Sequence, residues 1–486
     1  MAKTYGRKLI KTSVDVVTSE NVIDVLKIAM AQHMQNVKAI RYLKNYYLGD
    51  QAILYREKKV RPEINNKLVC NHAFEIVQFK LGDLFADSVQ YAYHSRKDSS
   101  VTDDEACVKV EYVSKLNEYM RMANRAYIDK ALGEMLLING TAYKAIYPTG
   151  NPKQPFLLKA LDPESTFIVY SAGVEEKPLC SVQIIPMGDN AVLSVYTPSE
   201  YFEVDTANTI IKNVRHGLGG IPVIEYPMNA LRIGAFEPVI TLLDAINKTM
   251  SDRVNGVEQF IQALIKFINC DVDKDLITRI KETMCVNVHS TDGQVADVEI
   301  LSQELDQTQV QHLLDDIYQK VLIICGIPNR NAPTTTSGDT GHAVVLRDGW
   351  ADAEVRTKDT INCYEMAERE LIKLAIRIVK DYEPLDLEVA DVDSKFHRDR
   401  SENLLVKTQG LLNMFRLGVH PRRCLNEVNL FSDPDDVYLE SKPYMERLWG
   451  SDEVAPINGT QYENGNAETN TLGSNWHKLN ENTVVD

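Results

Sequence analysis

No stretch of this 486-residue sequence stays apolar and uncharged for the roughly 18 residues that a membrane-crossing helix requires, so a bilayer-spanning protein is not expected. Cysteine pairs at metal or redox spacing are missing too. The eight cysteines, Cys70, Cys107, Cys180, Cys270, Cys285, Cys325, Cys363 and Cys424, are scattered without a CxxC and mostly beside apolar neighbours, which reads as reduced thiols in a cytosolic compartment. The opening MAKTYGRKLIKTSVDVV is basic but has no apolar h-region, so no secretory signal is expected. Surplus positive charge is also absent: 53 Lys and Arg face 69 Asp and Glu, for a formal net charge of −16. That balance argues against a protein that grips nucleic acid through a broad basic face. It does not argue against a wall past which DNA must slide, because each cation on a phosphate adds affinity.

Catalytic signatures are scarce. The glycine-punctuated stretch APTTTSGDTGH (332–342) invites a phosphate-cradle reading, but GxxxxGK[ST] requires a Lys and a hydroxyl after the last glycine, and Gly341 is followed by His342 and Ala343. A helix start there attracts anions weakly at most. Neither GxSxG nor HExxH occurs. The nearest metal-like group is Asp391, Asp393, His397 and Asp399 in DVDSKFHRDR; alternating polar residues of this kind more often mark the wet face of a half-buried strand. His420 and Cys424 in HPRRC have the spacing of a metal pair without a second pair to complete it. Neither a catalytic residue, a cofactor nor a metal is expected. The dispersed cations Lys266, Lys274, Arg279, Lys281 and Arg330, taken alone, read as ordinary solvated charges.

What is present is folding material, 44% apolar and 25% charged, in a chain long enough for two to four structural units. Residues 20–135 read as mostly helical, with Ser19 as a cap, Gly49 as a stop and one periodic run, DDEACVKVEYVSKLNEYMRMANRAYIDKALGEMLLING, carried to Gly140. From Thr141 to about Tyr226 short β-rich runs alternate with turn residues at an interval that favours an antiparallel sheet. A long helix is expected over 236–268, with Pro238 in its first turn and Gly256 inside it. A mixed insert ending in VADVEIL follows, then a shorter helix (TQVQHLLDDIYQKVLIICG), the 332–342 loop and another long helix from about His342 to Lys380. LDLEVADVDSKFH reads as a strand, the run from Ser401 as short helices, and the Asn-, Gly- and Thr-rich segment from Ser451 as disordered. Two long helices around a compact insert cannot bury their apolar stripes alone, but many copies side by side can.

On NYYLGDQAIL (45–54), NNKLVCNHAFEIVQFKLGDLFADSV (65–89), INGTAYKAIY (138–147), LDPESTFIVYS (161–171), TSGDTGHAVVLRDGWADAEVRTKD (336–359) and FSDPDDVYLE (431–440), the sequence resembles the portal proteins of tailed, specifically long-tailed, bacteriophages. The order of these pieces over roughly residues 40–445 supports the resemblance. It implies an α+β, multi-domain fold: a wing (1–235, helices then antiparallel sheet), stem helices (236–268 and 304–326), a small α/β clip (269–303), a tunnel loop (327–341), a long helix and wing strand (342–400), a helical crown (401–450) and a disordered tail (451–486).

By the same resemblance the chain forms a ring, generally of twelve copies, at one capsid vertex of the virion, assembled in the host bacterial cytoplasm. Double-stranded DNA passes through it without sequence preference. The partners implied are the terminase large subunit, a head-tail adaptor, the major capsid protein and scaffold, with no membrane. Arg330, Asn331, Thr334, Thr335, Thr336, Ser337, Asp339, Thr340 and His342 fall on the tunnel loop, and Lys274, Arg279 and Lys281 on the clip that faces motor and adaptor. The loop from 331 to 342 holds no Lys or Arg, with Arg330 and Arg347 flanking it, so brief hydroxyl contacts suit it better than a firm grip on phosphate. The competing readings are a metal-dependent phage nuclease built on Asp391–Asp399 and a monomeric adaptor or scaffold.

Overall fold

Apolar residues at helical spacing make α1 (Val22–Tyr47), whose inner face of Val22, Val25, Leu26 and Ala29 lies on a sheet face of Phe167, Val169, Val182, Val195 and Phe202. The computed structural model that shows this packing describes residues 6–59, 61–94, 103–188, 190–261, 264–268, 297–301, 307–329, 349–396, 404–428, 430–431 and 434–449. They belong to two compact units, residues 1–402 and 403–486.

In the first unit, β1 (Ile10–Thr12) and α1 precede α2 (His72–Phe85), β2 (Gln90–Tyr93), α3 (Asp103–Met122) and α4 (Arg125–Asn139). Eight strands follow: β3 (Thr141–Asn151), β4 (Gln154–Leu161), β5 (Thr166–Ser171), β6 (Pro178–Met187), β7 (Asn190–Tyr196), β8 (Glu200–Asp205), β9 (Ile210–Arg215) and β10 (Val223–Pro227). Next come α5 (Ile240–Ile261), β11 (Leu264–Ile268), β12 (Asp297–Leu301), α6 (Gln307–Cys325), the 31-residue α7 (Trp350–Lys380) and β13 (Val392–Lys395). The strands form sheets ordered β1-β5-β6-β7-β8-β9, β10-β3-β4, β11-β12 and β13-β2. The chain is therefore α+β with more than one unit, as the resemblance implied, helices and strands being mixed in the first unit.

The second unit has α8 (Leu404–Arg416), α9 (Pro421–Val428) and α10 (Pro434–Trp449). Cys424 and Leu425 are its buried residues among those described, while Leu417 stands 79% exposed.

Several expectations need correction. The helix expected over 236–268 ends at Ile261, and LIKFI pairs antiparallel with DVEIL in the register Leu264↔Leu301 to Ile268↔Asp297. A short apolar run of this kind fits either state, and strand pairing decided it. The run from Asp103 to Gly140 is two helices, because Asn124 adopts a left-handed conformation (φ 57°) between them. Ser19 does not cap α1: Asn21 and Val22 both donate to the Thr18 carbonyl, and the helix starts after Asn21. Two strands were missed, β1 and β2, and β1 pairs with β5 in parallel, so the large sheet is not wholly antiparallel. The strand expected over LDLEVADVDSKFH shrinks to β13 behind a 3-10 turn at Val389–Asp391. Gly49 and Gly140 end their helices as expected, both with positive φ; a Cβ on Gly140 would be driven into the Arg232 carbonyl. The start of the expected long helix near His342 and the 451–486 tail lie outside the described residues.

One buried cluster fixes α7 to the sheet. Glu368 of α7 accepts from Arg125 (2.7 Å), Lys144 (3.1 Å), Tyr91 (2.7 Å) and Tyr226 (2.6 Å). Asp129 of α4 accepts from Arg125 (3.0 Å), Lys144 (2.7 Å) and Tyr364 (3.0 Å). The third Lys144 N–H goes to the Tyr364 hydroxyl at 2.9 Å, so its ammonium is fully used. Burial would raise the Asp129 carboxyl, but Lys144 and Arg125 outweigh it and hold the group below the usual carboxylate range. Burial first, then the Glu368 carboxylate, push the Tyr226 hydroxyl well up, so it stays a donor. Two cations and two anions balance, and the Arg125 guanidinium also lies 4.1 Å over the Tyr91 ring. Glu368→Ala leaves Arg125 and Lys144 with one carboxylate between them, and is expected to cost about 3–5 kcal/mol. The urea midpoint of the purified chain measures it, and an unchanged midpoint would mean that α7 is held by other contacts.

Candidate functional site

The residues assigned to the tunnel loop, Arg330, Asn331, Thr334, Thr335, Thr336, Ser337, Asp339, Thr340 and His342, lie outside the described residues. So do the clip residues Lys274, Arg279 and Lys281. What can be built is the frame that carries these segments: α5 and α6, and the two ends from which 330–348 springs.

Helix α5 is held by a ladder of polar side chains one turn apart. Asn247, Ser251 and Asn255 are buried on one face, and the extended segment 66–70 lies along them. The Cys70 amide donates to Asn247 Oδ1 (2.7 Å), the Leu68 amide to Ser251 Oγ (2.9 Å) and the Asn66 amide to Asn255 Oδ1 (2.7 Å). A helix repeats a face about every 6 Å at four residues, and alternate amides of an extended chain repeat at nearly the same distance, so the helix stands in for a neighbouring strand. Gln51 accepts from Asn247, Tyr46 donates to Asp244 (2.9 Å) and Arg56 pairs with Asp252 (2.8 Å) along the same side. Burial holds the half-buried Asp244 carboxyl above its usual range, opposed by the Tyr46 hydrogen bond.

Helix α6 returns beside α5, with Arg253 donating to Gln311 (2.8 Å). Against α2, Tyr318 donates to Glu75 (2.7 Å) and its ring lies 4.7 Å from His72. The end of α6 is closed by Gly326 in a left-handed conformation (φ 66°), with Ile327 N–H to the Leu322 carbonyl (2.9 Å) and Gly326 N–H to the Ile323 carbonyl (3.1 Å). Arg356 of α7 reaches across to donate to the Ile324 carbonyl, and a Cβ on Gly326 would collide with the Arg356 side chain. Thr357 donates to Asp83 of α2 (2.9 Å), and Trp350 lies 6.2 Å from Phe79. The two feet of 330–348 are therefore tied to each other and to α2. A cation on the last carbonyls of α6 also suits the negative end of that helix. Burial pushes the Lys80 ammonium down and the Cys325 thiol up to about 11, so that thiol is protonated at neutral pH.

The alternative metal cluster is described only at Asp391 and Asp393, which have separate partners. Asp391 is buried and accepts from Lys109 (3.0 Å) and the Glu388 amide (3.1 Å), Asp393 pairs with His94 (2.8 Å), and His397 and Asp399 lie outside the described residues. His420 Nδ1 accepts the Arg422 amide (3.3 Å) and Cys424 donates to the Val419 carbonyl (3.3 Å), as cap and core groups of α9. Among the described residues no group of three His, Cys, Asp or Glu could hold a metal, and no helix is long and apolar enough to cross a membrane. Sequence reasoning missed the ladder, although its signal is in the text: polar residues at i, i+4 and i+8 inside TLLDAINKTMSDRVNGV, and an asparagine-rich extended stretch, NNKLVCN, to pair with them.

Replacing Asn247 by Leu removes the acceptor for the Cys70 amide without opening a large cavity. The expected result is a loss of about 1–3 kcal/mol. Hydrogen exchange should speed at Cys70 and Leu68 and stay unchanged in β5–β8, whereas uniform exchange across both regions would deny the ladder a local role. Arg356→Ala should accelerate exchange at Gly326 and Ile327 while the α7 amides beyond Tyr364 keep their protection; unchanged exchange at the two α6-end amides would show that Arg356 does not hold them.

The family model described as phage portal protein, SPP1 Gp6-like, matches residues 26–441. No curated protein matches the chain. Among solved structures, a chain from the neck of an empty gene transfer agent (GTA) particle, computed with C6 symmetry, is 12% identical, with 71% of this chain and 86% of that one covered and a TM-score of 0.40. A chain from the virion of a native GTA particle is likewise 12% identical, covering 71% of this chain and 84% of its own at a TM-score of 0.38. The assignment rests on the family match, which spans most of the sequence: the chain belongs to the SPP1 Gp6-like phage portal protein family.

Proposed function

We propose that this portal protein assembles as a ring, of twelve copies by the family pattern, at one vertex of the capsid, and that double-stranded DNA passes through it during packaging, retention and ejection. In this reading α5 and α6 are the stem, 269–303 is the clip that meets the terminase large subunit and later a head-tail adaptor, and 330–342 comes nearest the DNA. The first unit to residue 235, with α7 and β13, is the wing, α8–α10 are the crown, and major capsid protein and scaffold surround the ring.

The observation that carries the reading is the family match over 26–441. The helices agree with it. Leu313, Ile323 and Val257 on the stem pair and Val355 and Met366 on α7 are apolar and exposed in the single chain, Ile323 to 67%, as faces that neighbouring copies would cover. The ties at Gly326, Arg356 and Asp83 give 330–348 a fixed base, so motion there would not need to disturb the stem.

Purified protein, with scaffold added where assembly needs it, should give closed rings by negative-stain imaging and native mass spectrometry; monomer alone under all these conditions rejects the ring. Deletion of 332–341 should leave rings intact and reduce DNA packaging or retention. Loss of soluble protein on that deletion would instead make the segment structural. Metal-dependent DNA cleavage that disappears in Asp391→Ala or Asp393→Ala would favour the nuclease reading.

A further inference from the structure

The C-terminal half of α7 meets water along one narrow stripe. Residues 369–380 read RELIKLAIRIVK, and the seven aliphatic residues among them are all buried, in a helix packed on β3, β4 and β10. What stays exposed is Arg369, Glu370, Lys373, Arg377 and Lys380, four cations against one anion on a chain whose formal charge is −16. Arg369, Lys373 and Arg377 follow one another at about 6 Å along the helix, and Lys380 extends the row to about 16 Å.

The fold itself makes little use of them. Lys373 lies 3.7 Å from Glu370, whereas Arg369, Arg377 and Lys380 have no carboxylate within ion-pair distance among the described residues. Glu365, one turn before Arg369, is held above its usual range by burial first and then by Asp393, with Arg369 and Lys395 opposing. Like charges four apart repel on a helix surface, so the row lowers helix stability. Cations in the last turn suit the negative end of a helix, which accounts for Arg377 and Lys380. That effect fades within a turn and leaves Arg369 and Lys373 without a structural reason.

The stripe also lacks what a protein partner would need. Protein interfaces are built on apolar and aromatic anchors and are depleted in Lys at their centres. The exposed apolar residues of α7, Val355 and Met366, lie before the stripe. A polyanion needs only the charges. Over about 16 Å a DNA duplex presents roughly ten phosphates on its two strands. A helix whose other sides are buried in the unit cannot enter the major groove, so it can meet the backbone alone.

We propose that the 369–380 stripe is a second, sequence-independent contact for the backbone of double-stranded DNA, distinct from 330–342. Arg369 stands about 28 Å along α7 from Trp350, where the described helix begins. The inference takes from the portal reading only that duplex DNA is at hand; the binding itself needs neither a ring nor the loop.

Fluorescence anisotropy of a labelled DNA duplex of mixed sequence, titrated with the full chain, measures it. Binding is expected at low salt, weakening linearly on a log-log plot as NaCl rises. Lys373→Gln should flatten that slope by about one, and the chain combining Arg369→Gln, Lys373→Gln, Arg377→Gln and Lys380→Gln should lose at least about tenfold in affinity with its thermal midpoint kept. Deletion of 332–341 should leave the binding in place. Absence of duplex binding at low salt, an affinity and slope unchanged in the fourfold variant, or binding lost with 332–341 would each overturn the proposal. Polyglutamate bound as tightly as the duplex would overturn the choice of DNA in favour of an acidic protein. Rings without stripe-dependent binding would refute this inference and leave the portal reading intact, whereas monomer alone that binds through the stripe would do the reverse.

Discussion

The constraint on which the large unit depends is the neutral quartet Arg125, Asp129, Lys144 and Glu368. Four ionised groups taken out of water are tolerable only when every one is paired, and here tyrosines from β2, β10 and α7 add hydrogen bonds to the two carboxylates, while Arg125 Nη1 has no acceptor among the described residues. The same demand fixes geometry: Glu368 can satisfy Arg125, Lys144, Tyr91 and Tyr226 in one rotation and height of α7, so the helix has a single register against the sheet. An apolar face of equal area would tolerate sliding and rotation far better. A helix that must carry a long segment at one end and stay still at the other gains from that specificity.

The ladder on α5 applies the same logic to a second helix. Asn247, Ser251 and Asn255 bond backbone amides, which side-chain rearrangement cannot withdraw, and Tyr46 and Arg56 extend the grip to Asp244 and Asp252. Half a turn of helix rotation would leave three buried polar side chains and three amides without partners, so intermediate positions are excluded. Helix α5 is consequently fixed against the 46–56 region and the 66–70 segment, and α6 is tied to α2 through Tyr318 and Glu75.

The amphipathic helices were legible because burial enforces a 3.6-residue period: α1 shows it in Val22, Val25, Leu26, Ala29, Val37 and Ile40. The strands from Thr141 to Pro227 were legible through turn residues. LIKFI was not, since five residues carry no period and their state depends on DVEIL, some thirty residues away. Nor was the break at Asn124, where the helical pattern runs on and only the backbone reverses. The quartet was half visible at best. Arg125 and Asp129 are four apart on one helix face, but nothing in the sequence ties them to Lys144 or Glu368, because pairing across 243 positions is a property of the fold. The proposed contact residues were read from family wording, and their chemistry, rich in hydroxyls and free of cations from 331 to 342, came from the sequence alone.

That chemistry can be set beside the charges of the stem. Helices α5 and α6 carry Asp244, Asp252, Glu258, Asp315 and Asp316 against Lys248, Arg253 and Lys320. Lys320 is paired with Asp316 at 2.7 Å, and Arg253 is engaged by Gln311. If α5 and α6 line the proposed channel, a wall of this composition would offer a passing phosphate chain few cations to release counterions against, so each step along it would change the binding free energy little. Low affinity alone would let DNA slip back. In the proposed channel the hydroxyl-rich, cation-free sequence 331–342 would supply the complementary element, short-lived contacts offered between two ends that Arg356 and Asp83 tie down. On that proposal retention and passage would be separable, the charge of α5 and α6 governing how freely DNA moves and the hydroxyls of 331–342 how briefly it is held.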